Sequence, residues 1–380
     1  MSVRGRGAST SVLETSPDRR GDVTADERFM RRALELAMEG WGHTAPNPMV
    51  GAVVVQNGEI VGEGAHRRYG EAHAEPQALR AAGARARGAT LYVNLEPCNH
   101  YGQTPPCTDA IRAAGIAEVV AATRDPNPAS QRGADRLREL GIKVRIGLLE
   151  AEARELNAPF FHAFASDLPW VTLKLATSLD GAIADHTRTP GWLTGEEARK
   201  EVHRLRAGHD AIGVGLGTVM ADDPRLTVRE APPPRRPPLR VVFSRHGRLP
   251  LTSRLAQSAH EIPVRVVAQT IDPSYEHALG ELGVEVILAP TLRDALRELR
   301  RREVRSLLVE GGARIGAALM SEGLVHRLAV FQAPVILGDG ALNAFGALPG
   351  ARASGAPRLR VVRRQTLGDD LFTTYAVREG

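Results

Sequence analysis

The sequence predicts two different α/β domains, one after the other. Its 380 residues are more than twice the roughly 150 residues of one domain. Predicted helices alternate with short apolar strands along the chain, as in α/β proteins, and no internal repeat relates the two halves. The segment 166–169, Ser-Asp-Leu-Pro, separates them. We expect a disordered Ser/Thr/Arg-rich tail over 1–23, a first domain over 24–165 and a second over 169–380.

The composition is that of a globular protein, with 43% hydrophobic and 24% charged residues. This apolar content excludes disorder throughout the chain. No apolar run reaches the roughly 18 residues of a membrane helix, and no apolar segment of a signal peptide follows the N-terminal arginines. We therefore expect a cytoplasmic protein. The net charge of +5 favours an anionic partner, either a nucleic acid or a phosphorylated small molecule.

The elements of the first half follow from capping signals and chain breakers. Thr24 and Glu27 form a capping box before an amphipathic helix. Pro46-Asn47-Pro48 breaks the chain, and Gln56-Asn57-Gly58 is a turn between two strands. The other predicted helices cover about 73–82, 107–114, 133–140 and 150–164, and the other strands 90–95, 118–121 and 142–148.

The second half contains seven predicted strands with helical stretches between several of them. The strands cover 170–175, 211–214, 239–243, 264–268, 284–288, 306–309 and 328–331. The run 231–238 holds five prolines, which lack the N–H that helices and central strands need. We expect this run to be a surface loop.

One histidine and the only two cysteines have the pattern of a zinc site. His73-Ala74-Glu75 opens a predicted helix, and Pro97-Cys98 and Pro106-Cys107 follow a strand. Three protein ligands leave a fourth zinc position open for water, and Glu75 is placed to move protons between that water and a leaving amine. This is the pattern of zinc nucleobase deaminases, although eight residues separate the cysteines here where two are usual.

A glycine pair in the second half is a candidate phosphate site. Leu308-Val309-Glu310 is a predicted strand that runs into Gly311-Gly312 and then a helix, whose free N–H groups suit a phosphate. The earlier segment Gly213-Val214-Gly215-Leu216-Gly217 does not complete the Gly-x-Gly-x-x-Gly of a Rossmann fingerprint, because position 220 is Met220.

Taken together, the motifs resemble the bifunctional deaminase–reductase family of riboflavin biosynthesis. The motifs that carry the resemblance are the segments 46–51, 64–66, 71–75, 96–107, 173–181, 191–194, 218–229 and 310–312. The resemblance implies a cytidine-deaminase-like α/β/α domain followed by a dihydrofolate-reductase-like α/β domain. It also implies zinc-dependent hydrolytic deamination of a diaminopyrimidinone ribosylamino phosphate, followed by NADPH-dependent reduction of its ribosyl to a ribityl group.

The same resemblance implies the roles of individual residues. In the first domain it assigns zinc to His73, Cys98 and Cys107, proton transfer to Glu75, and substrate contacts to Asn47 and His66. In the second domain the implied cofactor contacts are Ala176, Trp192, Thr218, Asp222 and Gly312, and the implied substrate contacts are Lys174, Arg206, Leu226, Arg229 and Glu310. Two arginines suit a phosphate through bidentate hydrogen bonds. Since such second domains usually pair, we expect a homo-oligomer formed through the second domain.

Four departures from the family pattern leave two alternatives open. Gln103 stands where Lys or Arg is usual, and Pro190, Ser244-Arg245 and His326-Arg327 are unusual in the second half. One alternative is therefore a zinc deaminase with a catalytically silent, reductase-like dimerisation domain. The other is a nucleic-acid base deaminase, but aromatic residues are only 4% and no basic–aromatic stripe offers stacking positions. We expect neither a nucleic-acid nor a membrane partner.

Overall fold

A computed structural model describes residues 23–377 except 103, 131, 189, 190, 353 and 357. The predicted tail thus lies outside the described residues apart from Val23, and so do Gln103 and Pro190. Two separate open sheets with helices between their strands confirm the α/β class and the two-part order. The domain limits at 165 and 169 stay a prediction.

Within the described residues, the first unit contains five strands and six helices. The strands are β1 (Gly51–Gln56), β2 (Glu59–Ala65), β3 (Thr90–Val93), β4 (Glu118–Ala121) and β5 (Lys143–Ile146). The helices are α1 (Ala25–Ala37), α2 (Ala74–Ala82), α3 (Cys107–Ala114), α4 (Gly133–Glu139), α5 (Glu150–Leu156) and α6 (Ala158–Ala165), with 3-10 turns at Met38–Gly40 and Gly83–Ala86. The sheet order is β2-β1-β3-β4-β5, with β3 to β5 parallel and β1 antiparallel to both its neighbours.

Helices cover both faces of this sheet. Helix α1 begins at the predicted capping box. The Thr24 side chain accepts a hydrogen bond from the Glu27 N–H, and the Glu27 side chain accepts one from the Thr24 N–H. Its buried Met30 packs with Val53 and Tyr92 on one face, and α2 and α3 pack on the other. The helix predicted over 150–164 is interrupted at Asn157, whose side chain instead binds the main chain of Met49.

The described part of the second unit contains eleven strands and six helices. The strands are β6 (Trp170–Thr177), β7 (Ala182–Ala184), β8 (Ala211–Gly215), β9 (Leu239–Phe243), β10 (Val264–Ala268), β11 (Val284–Leu288), β12 (Ser306–Glu310), β13 (Arg327–Gln332), β14 (Leu342–Asn343), β15 (Arg360–Leu367) and β16 (Asp370–Ala376). The helices are α7 (Glu196–Ala207), α8 (Leu216–Asp222), α9 (Arg254–Gln257), α10 (Pro273–Glu281), α11 (Leu292–Arg301) and α12 (Ala313–Ser321).

Nine of these strands form one sheet in the order β11-β10-β9-β8-β12-β6-β13-β16-β15, while β7 pairs with β14. The sheet is parallel from β11 to β13 and antiparallel from β13 to β15. The sequence prediction did not include the hairpin of β15 and β16, because arginines interrupt the apolar pattern of β15. The carboxyl ends of β8, β12 and β6 lie side by side, which places the glycine pair 311–312 beside the end of β6.

The unusual His326-Arg327 pair lies where the two units meet. The ring of His326 stacks on Trp170, with centroids 4.8 Å apart, and contacts His162 of α6 at 4.3 Å. Arg327 forms an ion pair with Glu155 of α5, and its guanidinium lies over Trp170. This departure from the family pattern therefore contributes to the contact between the units.

We expect acid to weaken this contact through His326. Its Nδ1 accepts a hydrogen bond from the Val171 N–H at 3.0 Å, which a protonated ring cannot do. Burial, together with the charges of His162 and Arg327, lowers the pKa of His326 to about 4. Because the folded pKa lies below that of the unfolded chain, stability should be lost as the pH falls from about 6.5 to about 4, by up to about 3 kcal/mol.

Thermal unfolding between pH 4 and 7 measures this effect in the parent and in His326→Gln. The variant should show a flatter pH dependence because its side chain does not titrate. The matched control is His277→Gln, which removes an exposed histidine of α10 and should follow the parent. Parallel curves for the parent and His326→Gln would contradict the role of His326.

Candidate functional site

The predicted zinc ligands lie together at the end of the first sheet. His73 is the N-cap residue of α2, Cys107 is the first residue of α3, and Cys98 lies in the loop after β3. Their ligand atoms are all within 4.8 Å of one another, and His73 Nδ1 is 3.3 Å from Cys107 Sγ and 3.5 Å from Cys98 Sγ. A hydrogen bond from Cys107, with the His73 imidazole, lowers the pKa of the Cys98 thiol despite its burial. One imidazole and two sulfurs are a donor set that zinc prefers.

Glu75 is buried beside these three residues. It lies in the first turn of α2, is 3% exposed, and lines the same pocket as His73 and Cys98. Its Oε2 has no hydrogen-bond partner within the described part of the chain. Burial raises the pKa of the Glu75 carboxyl to about 7. A buried carboxylate oxygen normally has a hydrogen-bond partner. A non-protein ligand of a zinc ion held by His73, Cys98 and Cys107 would supply the partner that Glu75 Oε2 lacks among the described residues.

Asn47 and His66 line the same pocket, and the centre of the His66 ring lies 5.3 Å from that of the His73 ring. His66 Nδ1 lies 3.3 Å from the Ala72 carbonyl, which requires a proton on that nitrogen. The other nitrogen, Nε2, then accepts from Asn47 Nδ2 at 3.3 Å. Burial lowers the pKa of His66, so the neutral ring is favoured. The Asn47 amide is thereby fixed in orientation at the pocket wall.

Further polar residues line this pocket that the sequence analysis did not name. Asp125, Asn127 and Ser130 follow β4, and His100 lies in the loop between the two cysteines. Asp125 Oδ1 accepts from the Asn127 N–H, and Asn127 Nδ2 donates to Ser130 Oγ. Asp125, Asn127 and Ser130 reach the pocket because β4 lies parallel to and beside β3, and polar residues at the carboxyl ends of neighbouring parallel strands meet at one edge of a sheet.

A second group of charged residues lies on the large sheet. Glu310 at the end of β12 pairs in register with Lys174 of β6. Arg206 of α7 donates to both Glu310 carboxylate oxygens, at 2.5 and 2.8 Å, and to the Thr227 carbonyl at 2.9 Å. Burial raises the pKa of Glu310, but the charge and hydrogen bonds of Arg206 outweigh it and bring the pKa to about 2. The Arg206 guanidinium thus donates its hydrogen bonds to Glu310 and Thr227 and does not face an open site for a phosphate.

Arg229 and its neighbours border this group. The Arg229 side chain is exposed and donates to Thr227 Oγ1, while its N–H donates to His203 Nδ1. Leu226 is 3% exposed and packs in the core beneath α8. Burial raises the pKa of Asp222, and the charge of Lys174 opposes that rise. Arg229 therefore offers the more accessible guanidinium of the two predicted phosphate ligands.

The predicted cofactor residues are only partly assembled. Gly311 and Gly312 have φ values of 62° and 80°, which only glycine adopts readily, and a Cβ on Gly312 would lie 3.1 Å from Thr218 Oγ1. Thr218 and Gly312 thus adjoin at the start of α12. Ala176 pairs with Phe331 of β13. Trp192 is 67% exposed, with the Arg199 guanidinium 5.5 Å from its ring centre.

The other unusual residues of the second half lie at the end of β9. Ser244 is buried and its N–H donates to the Val267 carbonyl. The Arg245 carbonyl accepts from the N–H groups of Gln269 and Thr270. These main-chain bonds fix the loop after β9 and leave the Arg245 side chain exposed.

Two family models match the chain in the order of the two sheets. The cytidine and deoxycytidylate deaminase zinc-binding region matches residues 23–123, and the RibD C-terminal domain matches residues 169–373. Within the described residues, no helix combines the length and apolar character needed to cross a membrane.

Curated relatives and solved structures match nearly the whole chain. The riboflavin biosynthesis protein RibD of Aquifex aeolicus is 43% identical over 92% of this chain and 98% of its own length. The protein of the same name from Escherichia coli is 41% identical over 91% and 98%. The structure of Acinetobacter baumannii RibD is 37% identical, covers 94% of this chain and 100% of its own, and gives a TM-score of 0.82. A Thermotoga maritima diaminohydroxyphosphoribosylaminopyrimidine deaminase/5-amino-6-(5-phosphoribosylamino)uracil reductase is also 37% identical, over 93% and 98%, with a TM-score of 0.80.

Proposed function

Because the chain belongs to the RibD family, the bifunctional deaminases and reductases of riboflavin biosynthesis, we propose that each of its two groups of site residues carries out one of the two reactions. The group of His73, Glu75, Cys98 and Cys107 deaminates a diaminopyrimidinone ribosylamino phosphate. The group of Lys174, Arg206, Arg229 and Glu310 then binds the deaminated product while NADPH reduces its ribosyl to ribityl. The observation that carries the proposal is the buried, unpartnered carboxylate oxygen of Glu75 beside the three ligand atoms.

In the deamination, His73, Cys98 and Cys107 hold the zinc ion. Bound zinc lowers the pKa of water to about 7 and so supplies a nucleophile at neutral pH. Glu75 would hold the transferred proton at Oε2 and deliver it to the departing amine, a role for which a pKa near 7 is well matched. Asn47, oriented by His66, offers an amide oxygen and N–H to the pyrimidine edge. Asp125, Asn127 and Ser130 also line this pocket.

In the reduction, NADPH supplies the hydride and the chain positions the sugar. Gly312 is the N-cap residue of α12, and the free N–H groups of the first turn would bind a cofactor phosphate. Thr218 lies beside this helix start. Burial lowers the pKa of Lys174, and the charge of Glu310 opposes that fall; Lys174 lies near the reacting sugar. Arg229 binds the substrate phosphate, and the Arg206–Glu310 pair holds α7 against β12. A homo-oligomer formed through the second domain, and the absence of a nucleic-acid partner, stay predictions.

Product masses after incubation of zinc-loaded protein with the diaminopyrimidinone ribosylamino phosphate and NADPH test the proposal. Exchange of an amine for oxygen plus two added hydrogens supports both activities. Exchange alone would favour the silent, reductase-like second domain. No mass change would contradict the proposal and return single-stranded nucleic acids to consideration as substrates.

We expect Cys107→Ser to separate the two activities. Cys107 is fully buried and supplies one of three ligand atoms, and a serine hydroxyl is a poor zinc ligand next to a thiolate. Zinc content and deamination should be lost, whereas reduction of the deaminated pyrimidine should persist. Zinc is measured by elemental analysis of the purified protein. Thr108→Ala, at the next buried position of α3, is the control and should retain zinc. A fully zinc-loaded Cys107→Ser protein would remove Cys107 from the ligand set.

A further inference from the structure

The second unit contacts one segment of the deaminase pocket at three points. We call residues 41–48, between the 3-10 turn at Met38–Gly40 and β1, the pocket segment. It ends in Asn47 and Pro48, which line the pocket. The contacts come from α7, from the proline-rich loop 231–238 and from the residue before β12. The proline-rich loop was predicted only as a surface loop, and the proposed reactions leave it without a role.

The first contact lies at the start of the pocket segment. Trp41 Nε1 donates to the Arg204 carbonyl at 2.8 Å, and the Arg204 guanidinium lies 4.7 Å from the Trp41 ring centre. A Cβ on Gly208 would lie 2.2 Å from the indole. Only glycine at 208 therefore allows the ring to pack this closely against the end of α7.

The second and third contacts are arginines that bind main-chain carbonyls. Arg235, in the proline-rich loop, donates from its N–H to the Gly42 carbonyl at 3.0 Å and from Nη2 to the Ala45 carbonyl at 2.6 Å. Its guanidinium also lies 5.0 Å from the ring centre of Tyr69, which lines the pocket. Arg305 donates from Nη1 to the Pro46 carbonyl at 3.1 Å. Two consecutive carbonyls are thus held by two cations of the other unit.

The pocket segment needs donors from outside because of its own sequence. Pro46 and Pro48 have no N–H, so this stretch is poor in donors while its carbonyls still need partners. The Asn47 N–H is used within the segment, by the Thr44 carbonyl at 2.8 Å. Apart from the contact between the Asn47 side chain and His66, the described residues of the first unit next hold the chain at Met49, through Asn94 and Asn157. Between Thr44 and Met49, the guanidinium groups of Arg235 and Arg305 are bound to the two carbonyls that directly precede Asn47.

We propose that Arg235 and Arg305 are positioning residues for deamination, which hold the Ala45 and Pro46 carbonyls so that the Asn47 amide faces the pyrimidine. The second unit thereby completes the substrate pocket of the first. The five prolines around Arg235 restrict the backbone of their loop, so the guanidinium is presented on a stiff support. The inference rests on the proposed role of Asn47 as a substrate contact.

Steady-state deamination kinetics of the full chain, loaded with zinc, test this inference. Arg235→Ala and Arg305→Ala should each raise the deamination KM about tenfold, the effect of one lost hydrogen bond from a charged donor. The kcat of deamination, the zinc content, the melting temperature and the reductase kinetics should be unchanged, because neither arginine touches the ligand atoms or the second site. Arg235→Lys should recover part of the KM, since an ammonium keeps one donor for Ala45 but stacks less well on Tyr69.

Arg236→Ala is the matched control, because Arg236 is the next residue of the same loop and is exposed. It should keep the KM of the parent. An unchanged KM in the Arg235→Ala/Arg305→Ala double variant would overturn the proposal. A joint loss of both activities and of melting temperature would overturn it as well, since the arginines would then serve the fold as a whole. Absence of deamination in the parent protein would instead refute the proposed function, so the two failures are distinguishable.

Discussion

Replacing Glu75 by glutamine is expected to lower the deamination rate by about 10²–10⁴-fold, the usual contribution of a general acid–base residue. Glutamine has the same shape but neither accepts nor delivers the proton that the reaction moves from water to the departing amine. The zinc content should stay that of the parent, because the three ligand atoms belong to His73, Cys98 and Cys107. Reduction of an already deaminated pyrimidine should also be unaffected.

Ammonia release, measured together with zinc content, distinguishes this result from loss of the metal. Glu71→Gln is the matched control: Glu71 lines the same pocket but is exposed, so its loss changes the local charge without removing the buried acid. It should retain most of the activity. Deamination at the parental rate by Glu75→Gln would remove Glu75 from the mechanism, and equal losses in both variants would point to charge in the pocket and not to proton transfer.

The deaminase group was predictable from sequence because short segments carry it. His73 and Glu75 are two residues apart at one helix start, and Cys98 and Cys107 flank one loop. Local structure therefore brings them near one another once β3 and α2 pack. Asp125 and Asn127 were missed because their place in the pocket depends on β4 lying beside β3, a pairing that no single segment specifies.

The interactions of the second unit were less predictable, because they join distant segments. Arg206 and Glu310 are 104 residues apart, and nothing in either segment indicates that they satisfy each other. The same holds for His326 and Arg327, whose partners His162 and Glu155 belong to the first unit. The hairpin of β15 and β16 joins the sheet through the pairing of β16 with β13, and the arginine-rich β15 is held by its pairing with β16.

The buried pair Arg206–Glu310 should carry the largest stability effect in the second unit. Arg206→Ala leaves the Glu310 carboxylate buried without its main partner, which typically costs about 3–5 kcal/mol. For a unit of this size that corresponds to a fall of about 10 °C in the unfolding midpoint. Reduction should be impaired, because Glu310 is then free to turn toward Lys174. Arg229→Ala should instead raise the reductase KM without changing the midpoint, since the Arg229 side chain is exposed.

The pH dependence of the unfolding midpoint gives a signature specific to this pair. Because the pKa of Glu310 is depressed to about 2 in the folded protein, its contribution is present above the ordinary pKa of about 4.5 and is lost as the pH falls toward 2. Expressed as a free energy, the contribution is about 3 kcal/mol. Glu310→Gln removes the titrating group, so the gap in stability between the parent and this variant should close over that window. A constant gap from pH 2 to 7 would contradict the assignment to Glu310.

A double substitution that removes both charges of the ion pair tests whether the pair itself contacts the substrate. In Arg206→Met/Glu310→Met neither charge is left buried alone, so the double variant should be more stable than Arg206→Ala. Calorimetry measures its unfolding midpoint, and the reductase KM reports on substrate binding. If Arg206 and Glu310 only hold α7 against β12, the double variant should keep a KM within about threefold of the parent, a difference smaller than one hydrogen bond to a charged group. A KM as high as that of Arg229→Ala would show that Arg206 or Glu310 contacts the substrate directly.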